Sequence, residues 1–312
     1  MAEMRFAGSF TQQEPIPEEG ISAALELLRT GRLHRYNTVP GETSLTARLE
    51  AAYAEWQGAK YCLALASGGQ AMQIALRACG VRPGDKVLSN AFTLAPVPGA
   101  VAAVGAETVL VEITEDLVID LDDLAAKARA SGAGHLLLSN MRGHLCDMDR
   151  LMRVAKECGL TVIEDCAHTM GAKWNGRRSG NFGAMGCFST QTYKHMNSGE
   201  GGFLTSDDPE LMARAIIMSG SYMLYERHGA APAAEAFERI RLETPNMSAR
   251  MDNLRITSAT EGAVIPRLYG RMRIGGNIIW ATDFREETKT TTQGGGKGGG
   301  PTVTTTEYSY TA

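Results

Sequence analysis

Short apolar runs at residues 61–66, 85–89, 108–112, 135–140 and 161–164 each read as a buried strand. Between them, residues 70–79, 95–104, 121–130 and 147–158 carry the three- and four-residue spacing of helices. Strict alternation of strands with helices this long predicts an α/β chain whose largely parallel sheet is covered on both faces. The carboxyl ends of such strands lie on one edge, where ligands bind. Before the first strand, residues 21–29 and 43–57 read as helices, the second after a Ser/Thr cap.

The last of these strands opens the most informative stretch, residues 162–194. Its apolar run ends in Glu164 and Asp165, with His168 three residues on. It closes with Phe188-Ser189-Thr190 and a single lysine, Lys194, followed by the glycine-rich residues 198–202. An acid ending a buried strand and a lysine beyond a second short strand can face each other across one pocket. A pyridoxal phosphate enzyme needs that pair: a lysine for the Schiff base and a carboxylate to keep the pyridine nitrogen protonated. The turn Ser67-Gly68-Gly69 follows the first strand and opens a helix. Free N–H groups, the helix dipole and two glycines that admit a close anion suit it to a phosphate. Taken singly, each feature has a commoner role. Most such turns are only turns, Asp165 reads equally as a cap, Lys194 as a solvated lysine and His168 as a polar wall residue. Their order along one chain changes the balance.

Composition removes other classes. A formal charge of −4 with interspersed signs leaves no basic footprint for nucleic acid. No apolar run is long enough to span a bilayer, and residues 1–15 contain acids instead of a signal-peptide core. The six cysteines are scattered without a C-x-x-C pair, which fits reduced thiols and a cytoplasmic chain without a metal site.

The motifs GGQAM after Ala66-Ser67, VRPGDKVL, VIEDCAHTMGA, FST-x-x-x-K and GEGGFLTSDD stand in this order between residues 67 and 208. On them the chain resembles the DegT/StrS-type sugar aminotransferases over about residues 10–255. The resemblance implies a pyridoxal phosphate-dependent transferase of fold type I, with the aspartate-aminotransferase large domain. It implies that Lys194 carries pyridoxal 5'-phosphate as a Schiff base and shuttles the proton. Asp165 then pairs with the pyridine nitrogen and His168 with the phenolic oxygen. Gly68 and Gly69, with the Ser189 hydroxyl, would hold the phosphate. The implied reaction takes an amino group from glutamate or glutamine to a keto-sugar, usually nucleotide-linked, or a keto-cyclitol. Such enzymes are homodimers, and the segment PNMSARMDNL offers Asn246 or Arg250 to the neighbouring subunit's cofactor. A related group of sugar dehydratases shares the fold but has histidine in place of the lysine. Lys194, with His195 after it, favours amination.

Departures from the family pattern are specific. Gly68-Gly69 stands where Gly-Thr is usual, so one hydroxyl is missing. Leu94 aligns with the aromatic that stacks on the ring, with Phe92 two residues away. After RMDNL the family continues with an alanine-rich helix and a small domain of roughly a hundred residues. Here residues 256–312 turn instead into a β-rich, Gly/Thr-rich segment that resembles a fragment of a phage or gene-transfer-agent tail protein. Strands are expected at 264–268 and 272–280, and a flexible glycine loop between two β arms beyond them. The expected organisation is a chimera of residues 1–255, an aminotransferase large domain, with 256–312. Lacking the small domain, such a chain is expected to be of low stability and weak activity, or an inactive remnant.

Overall fold

A computed structural model describes residues 15–238 and 240–257, with the backbone of 271–274, 277–280, 283–290 and 304–311. Two helices lead in, α1 (Glu18–Thr30) and α2 (Leu45–Gln57). The second begins where Ser44 Oγ accepts the Ala47 N–H at 3.1 Å, and it stops at Gly58 in the left-handed region. Strands and helices then alternate as β1 (Tyr61–Leu65), α3 (Gly68–Ala78), β2 (Lys86–Asn90), α4 (Pro96–Ala103), β3 (Glu107–Val111), α5 (Leu121–Ser131), β4 (His135–Ser139), α6 (Met148–Glu157) and β5 (Thr161–Asp165). A two-strand hairpin, β6 (Lys173–Trp174) and β7 (Arg177–Arg178), turns on Asn175-Gly176, both with positive φ. Then come β8 (Met185–Ser189), β9 (Gly202–Ser206) and α7 (Pro209–Ile216).

The main sheet runs β1-β9-β8-β5-β4-β2-β3. The pairs β3–β2, β2–β4, β4–β5 and β5–β8 are parallel, whereas β9 runs antiparallel between β8 and β1. The expectation of a largely parallel sheet holds, with β9 as its one reversed strand. Because β9 starts at the edge where its neighbours end, Gly202 pairs with both Leu65 and Ser189. The carboxyl ends of β1, β8, β5, β4 and β2 and the start of β9 therefore share one edge.

Burial on both faces explains why the strands read as unbroken apolar runs. Leu63, Leu65, Val87, Leu137, Ile163 and Leu204 pack with α3, α4 and α7 on one face. Their strand neighbours Leu88, Leu136, Leu138 and Val162 pack with α5 and α6 on the other. Cys62, Ala64, Phe188 and Phe203 meet Tyr53 and Trp56 of α2 on that second side. Alternate residues facing opposite layers is the two-residue period of a strand.

Glu164 and Asp165 obey the same alternation. Glu164 is fully buried and accepts the N–H groups of Gly180, Phe182 and Gly183 at 2.8, 2.7 and 2.8 Å. It ties down the loop between β7 and β8, leaving Asp165 to the ligand edge.

Beyond α7 a turn at residues 217–221 leads through a short helix, α8 (Glu235–Glu238), to the segment before α9 (Asn253–Ile256). That segment runs back along β1, where the Ala66 N–H donates to Ala249 O at 2.9 Å. Further on, β10 (Arg271–Ile274) and β11 (Asn277–Trp280) pair antiparallel, as do β12 (Asp283–Thr290) and β13 (Thr304–Thr311). The two β arms are expected in residues 288–311, which β12 overlaps only at residues 288–290 and β13 over its whole length. The strand expected at 264–268 and the glycine loop lie outside the described residues. Among those residues no helix is long and apolar enough to cross a membrane, and all six cysteines are free.

Candidate active site

Helix α3 starts two residues earlier than its apolar spacing predicts, because Ser67 is its N-cap. Its Oγ accepts the Gln70 N–H at 3.1 Å. Gly68 and Gly69 thus form the first turn, whose N–H groups no carbonyl of the helix can reach. They face the sheet edge at the dipole's positive end.

The two glycines differ. A Cβ on Gly68 would lie 2.9 Å from Ser189 Cβ and 3.3 Å from Phe188 O. One on Gly69 would meet only Ser67 Oγ, at 3.8 Å. Gly202 completes this floor, since a Cβ there would come within 2.6 Å of Gly68 N. The glycines at 68 and 202 let α3, β8 and β9 close on one another, and Ser189 borders the same turn. Gly68→Ala is expected to cost about 1–3 kcal/mol in urea unfolding through overpacking. Gly69→Thr adds a hydroxyl to this turn where there is room. It should leave stability within about 0.5 kcal/mol and tighten binding of a phosphate-bearing cofactor about tenfold in a spectroscopic titration.

Asp165 ends β5, buried, with one carboxylate oxygen accepting the Ala167 N–H at 3.1 Å and the other the Ser139 hydroxyl at 3.2 Å. Burial pushes its pKa up from the ordinary value, opposed by the Ala167 N–H, Ser139 and the charge of Lys194. A raised carboxyl weakens the fold as it ionises. Its contribution is present below the unfolded pKa and is lost as pH rises through the folded one. Asp165→Asn never ionises. Without cofactor, the variant should therefore gain stability relative to the parent between pH 4 and pH 7, checked by urea melts at both. A constant difference between the two pH values would contradict this.

Lys194 lies in the loop between β8 and β9, half-buried, and its Nζ is 2.8 Å from His168 Nε2. The other ring nitrogen, Nδ1, accepts the Arg142 N–H at 3.2 Å. A neutral ring held this way carries its proton on Nε2, where a phenolic oxygen could accept it. Arg142 presents that N–H from a left-handed backbone, φ 54, which is uncommon for a residue other than glycine. Strain of this kind gathers at functional sites.

The edge therefore brings together Gly68, Gly69, Ser189, Asp165, His168 and Lys194. Leu94 sits in the loop after β2, 45% exposed. Its neighbour Thr93 donates to Ser139 Oγ at 2.8 Å, which anchors this loop beside Asp165. Asn246 makes its contacts elsewhere, accepting the Ser248 N–H at 2.9 Å. Arg250 donates to Gly220 O and holds the same segment against the turn. Sequence reasoning missed Thr93, Ser139 and Arg142. Ser139 had a signal, being a polar residue that ends an apolar strand as Asp165 does, and the two are register partners.

These groups fit pyridoxal phosphate. A phosphate cradle that glycines keep open, a primary amine beside an N–H donor and a buried carboxylate are the donors it requires. Among the described residues no group of His, Cys, Asp and Glu could hold a metal ion.

Comparison with known proteins agrees with the geometry. Residues 16–260 match the DegT/DnrJ/EryC1/StrS aminotransferase family. The chain is 34% identical over 203 residues to an L-glutamine:2-deoxy-scyllo-inosose aminotransferase of Micromonospora echinospora, covering 64% of this chain and 48% of that one. It is 30% identical over 259 residues to a protein of the same name from Streptomyces kanamyceticus, covering 83% and 59%. An aminotransferase structure from Psychrobacter cryohalolentis superposes with a TM-score of 0.69 at 25% identity, over 80% of this chain and 62% of that one. The structure of 3-amino-5-hydroxybenzoic acid synthase, 24% identical, shares the fold with a TM-score of 0.71 over 85% and 65%. The chain spans about half the length of the curated relatives it matches.

Proposed function

The chain belongs to the DegT/DnrJ/EryC1/StrS aminotransferase family, and on that premise we propose that it is a pyridoxal phosphate-dependent aminotransferase. Its amino donor is glutamine or glutamate, and its acceptor is a keto-cyclitol or a nucleotide-linked keto-sugar. The names of the curated relatives favour L-glutamine and a cyclitol ketone. The observation that carries the reading is the Lys194–His168 pair, 2.8 Å apart, in a loop beside the buried Asp165.

Pyridoxal phosphate, when bound, supplies an aldehyde that takes up the amino group and a ring that delocalises the electron pair left on carbon. The protein's residues divide the remaining work. Gly68 and Gly69 offer backbone N–H groups and Ser189 a hydroxyl to the phosphate. Asp165 would keep the ring nitrogen protonated, and the Nε2–H of His168 would hold the phenolic oxygen. Lys194 Nζ would provide the amine that retains the cofactor and would then carry the proton to and from the reacting carbon. Leu94, in the loop after β2, would cover one face of the ring. In this reading the protein is a cytoplasmic homodimer, and the 246–250 segment reaches the neighbouring subunit's site.

The test is amination of 2-deoxy-scyllo-inosose and of a nucleotide-linked 4-keto-sugar, each with L-glutamine and L-glutamate, in the presence of pyridoxal phosphate. Amine product from the cyclitol with glutamine supports the reading. Failure on all four pairs by a folded, cofactor-bound protein refutes it.

A further inference from the structure

We propose that Thr93 and Ser139 form a one-way hydroxyl relay that aims Asp165 at the cofactor's ring nitrogen and selects its carboxylate form. The proposal rests on the cofactor reading above. It concerns two residues that touch neither cofactor nor substrate and are therefore positioning residues.

The geometry leaves the relay one direction. Thr93 Oγ1 donates to Ser139 Oγ at 2.8 Å, and Ser139 Oγ in turn donates to Asp165 Oδ2 at 3.2 Å. A hydroxyl has a single proton. With one Ser139 lone pair occupied by Thr93, that proton is free to point at Asp165. An ionised carboxylate can only accept, so every bond in the chain is satisfied when Asp165 is charged. A protonated Asp165 could donate to Ser139 only if the Ser139 proton turned away, which gives up the bond from Ser139 to Asp165.

The frame around the relay is rigid. Asn90 grips Ser139 from both sides, its Oδ1 accepting the Ser139 N–H at 2.9 Å and its Nδ2 donating to Ser139 O at 3.1 Å. The same Nδ2 donates to Phe92 O at 3.0 Å, which fixes the start of the loop carrying Thr93 and Leu94. Asn90, Ser139 and Asp165 end three strands, β2, β4 and β5. Asp165 Oδ1 is held independently by the Ala167 N–H at 3.1 Å. Both oxygens are thus oriented, each retaining lone-pair capacity toward the site. Thr93 has a double part, because the hydroxyl that completes the relay also ties down the loop that carries Leu94.

The test compares affinity for pyridoxal phosphate with affinity for its 1-deaza analogue, in which C–H replaces the ring nitrogen. Only the natural cofactor can use the Asp165 charge, so the ratio of the two dissociation constants isolates that interaction from general damage to the pocket. Ser139→Ala should reduce the preference for pyridoxal phosphate about tenfold or more, the worth of a hydrogen bond to a charged group. Thr93→Val should reduce it several-fold, and Thr93→Ser, which keeps the hydroxyl, should restore the parent ratio. A loose pocket would weaken both ligands alike and leave the ratio unchanged. A parent-like ratio in Ser139→Ala or in Thr93→Val overturns the relay. Asp165→Asn separates the two levels. If it erases the preference while Ser139→Ala and Thr93→Val retain it, the relay alone fails. If Asp165→Asn also retains the preference, or the parent protein binds no pyridoxal phosphate, the cofactor reading fails and the relay with it.

Discussion

Lys194→Ala is expected to lower amination of the keto substrate at least about 10⁴-fold, because in the proposed reading one side chain supplies both the covalent amine and the proton carrier. Lys194→Arg should lose as much. A guanidinium keeps the charge but is not deprotonated in proteins, so it neither bonds to the aldehyde nor moves the proton. The fold should hardly notice either change. Lys194 is half-buried in a loop, and its contact with His168 belongs to the site instead of the core. Steady-state assays with glutamine, paired with urea unfolding, separate the two effects. A variant within tenfold of the parent rate would remove Lys194 from the chemistry.

The largest stability effect is expected far from that lysine. Arg35 and Glu50 are 1% and 0% exposed and form a bidentate pair with both N–O distances at 2.7 Å. Glu50 also accepts the Ala64 N–H at 2.8 Å, and His228 Nε2 lies 3.3 Å from its second oxygen. Removing one partner strands the other charge in the core, so Glu50→Ala should cost about 3–5 kcal/mol in urea unfolding. That is a large share of the roughly 5–15 kcal/mol that holds a domain together. Replacing both Arg35 and Glu50 by apolar residues of similar size should cost much less, because no unpaired charge remains. Burial alone would raise the Glu50 carboxyl, but Arg35 and then His228 overcome it and leave the pKa at about 2. A depressed carboxyl stabilises above its ordinary value and loses that contribution as pH falls toward the folded one. The parent should therefore weaken between about pH 4.5 and pH 2 by more than Glu50→Gln does. An equal acid response in the two proteins would contradict the assignment.

This buried network reaches the functional edge indirectly. Tyr36 hydroxyl lies 3.0 Å from His228 Nδ1 and bonds Ser221, which ends the turn whose Gly220 carbonyl receives Arg250. The 246–250 segment is thereby braced by charges that sit beneath β1.

Much of this was legible in the chain itself, for physical reasons that can be named. Sheet and helices through β5 follow from apolar runs buried on both faces and from cap residues such as Ser44 and Ser67. Legibility fell after Asp165. Residues 166–184 owe their path to three N–H groups captured by Glu164, a tertiary contact with no local period. The Asn175-Gly176 turn did carry a hairpin signal, but its strands are too short to show alternation. Strand β9 was masked by the glycines at 199, 201 and 202 around its start, and Gly202 is glycine because Gly68 packs against it. In the site, Asp165, His168, Ser189 and Lys194 were readable as a spaced constellation. Ser139 was signalled only by its place at the end of an apolar strand, and Thr93 and Arg142 were not readable, since their parts depend on which strand lies beside β5 and on one left-handed residue.

In the proposed reading Lys194 is the amine that holds pyridoxal phosphate beside Asp165. The most direct test reduces the cofactor-loaded protein with borohydride, digests it and locates the added pyridoxyl mass by peptide sequencing. The account predicts a single modified site at Lys194, absent from Lys194→Ala treated in parallel. Modification spread over surface lysines, or unchanged in the variant, would contradict it.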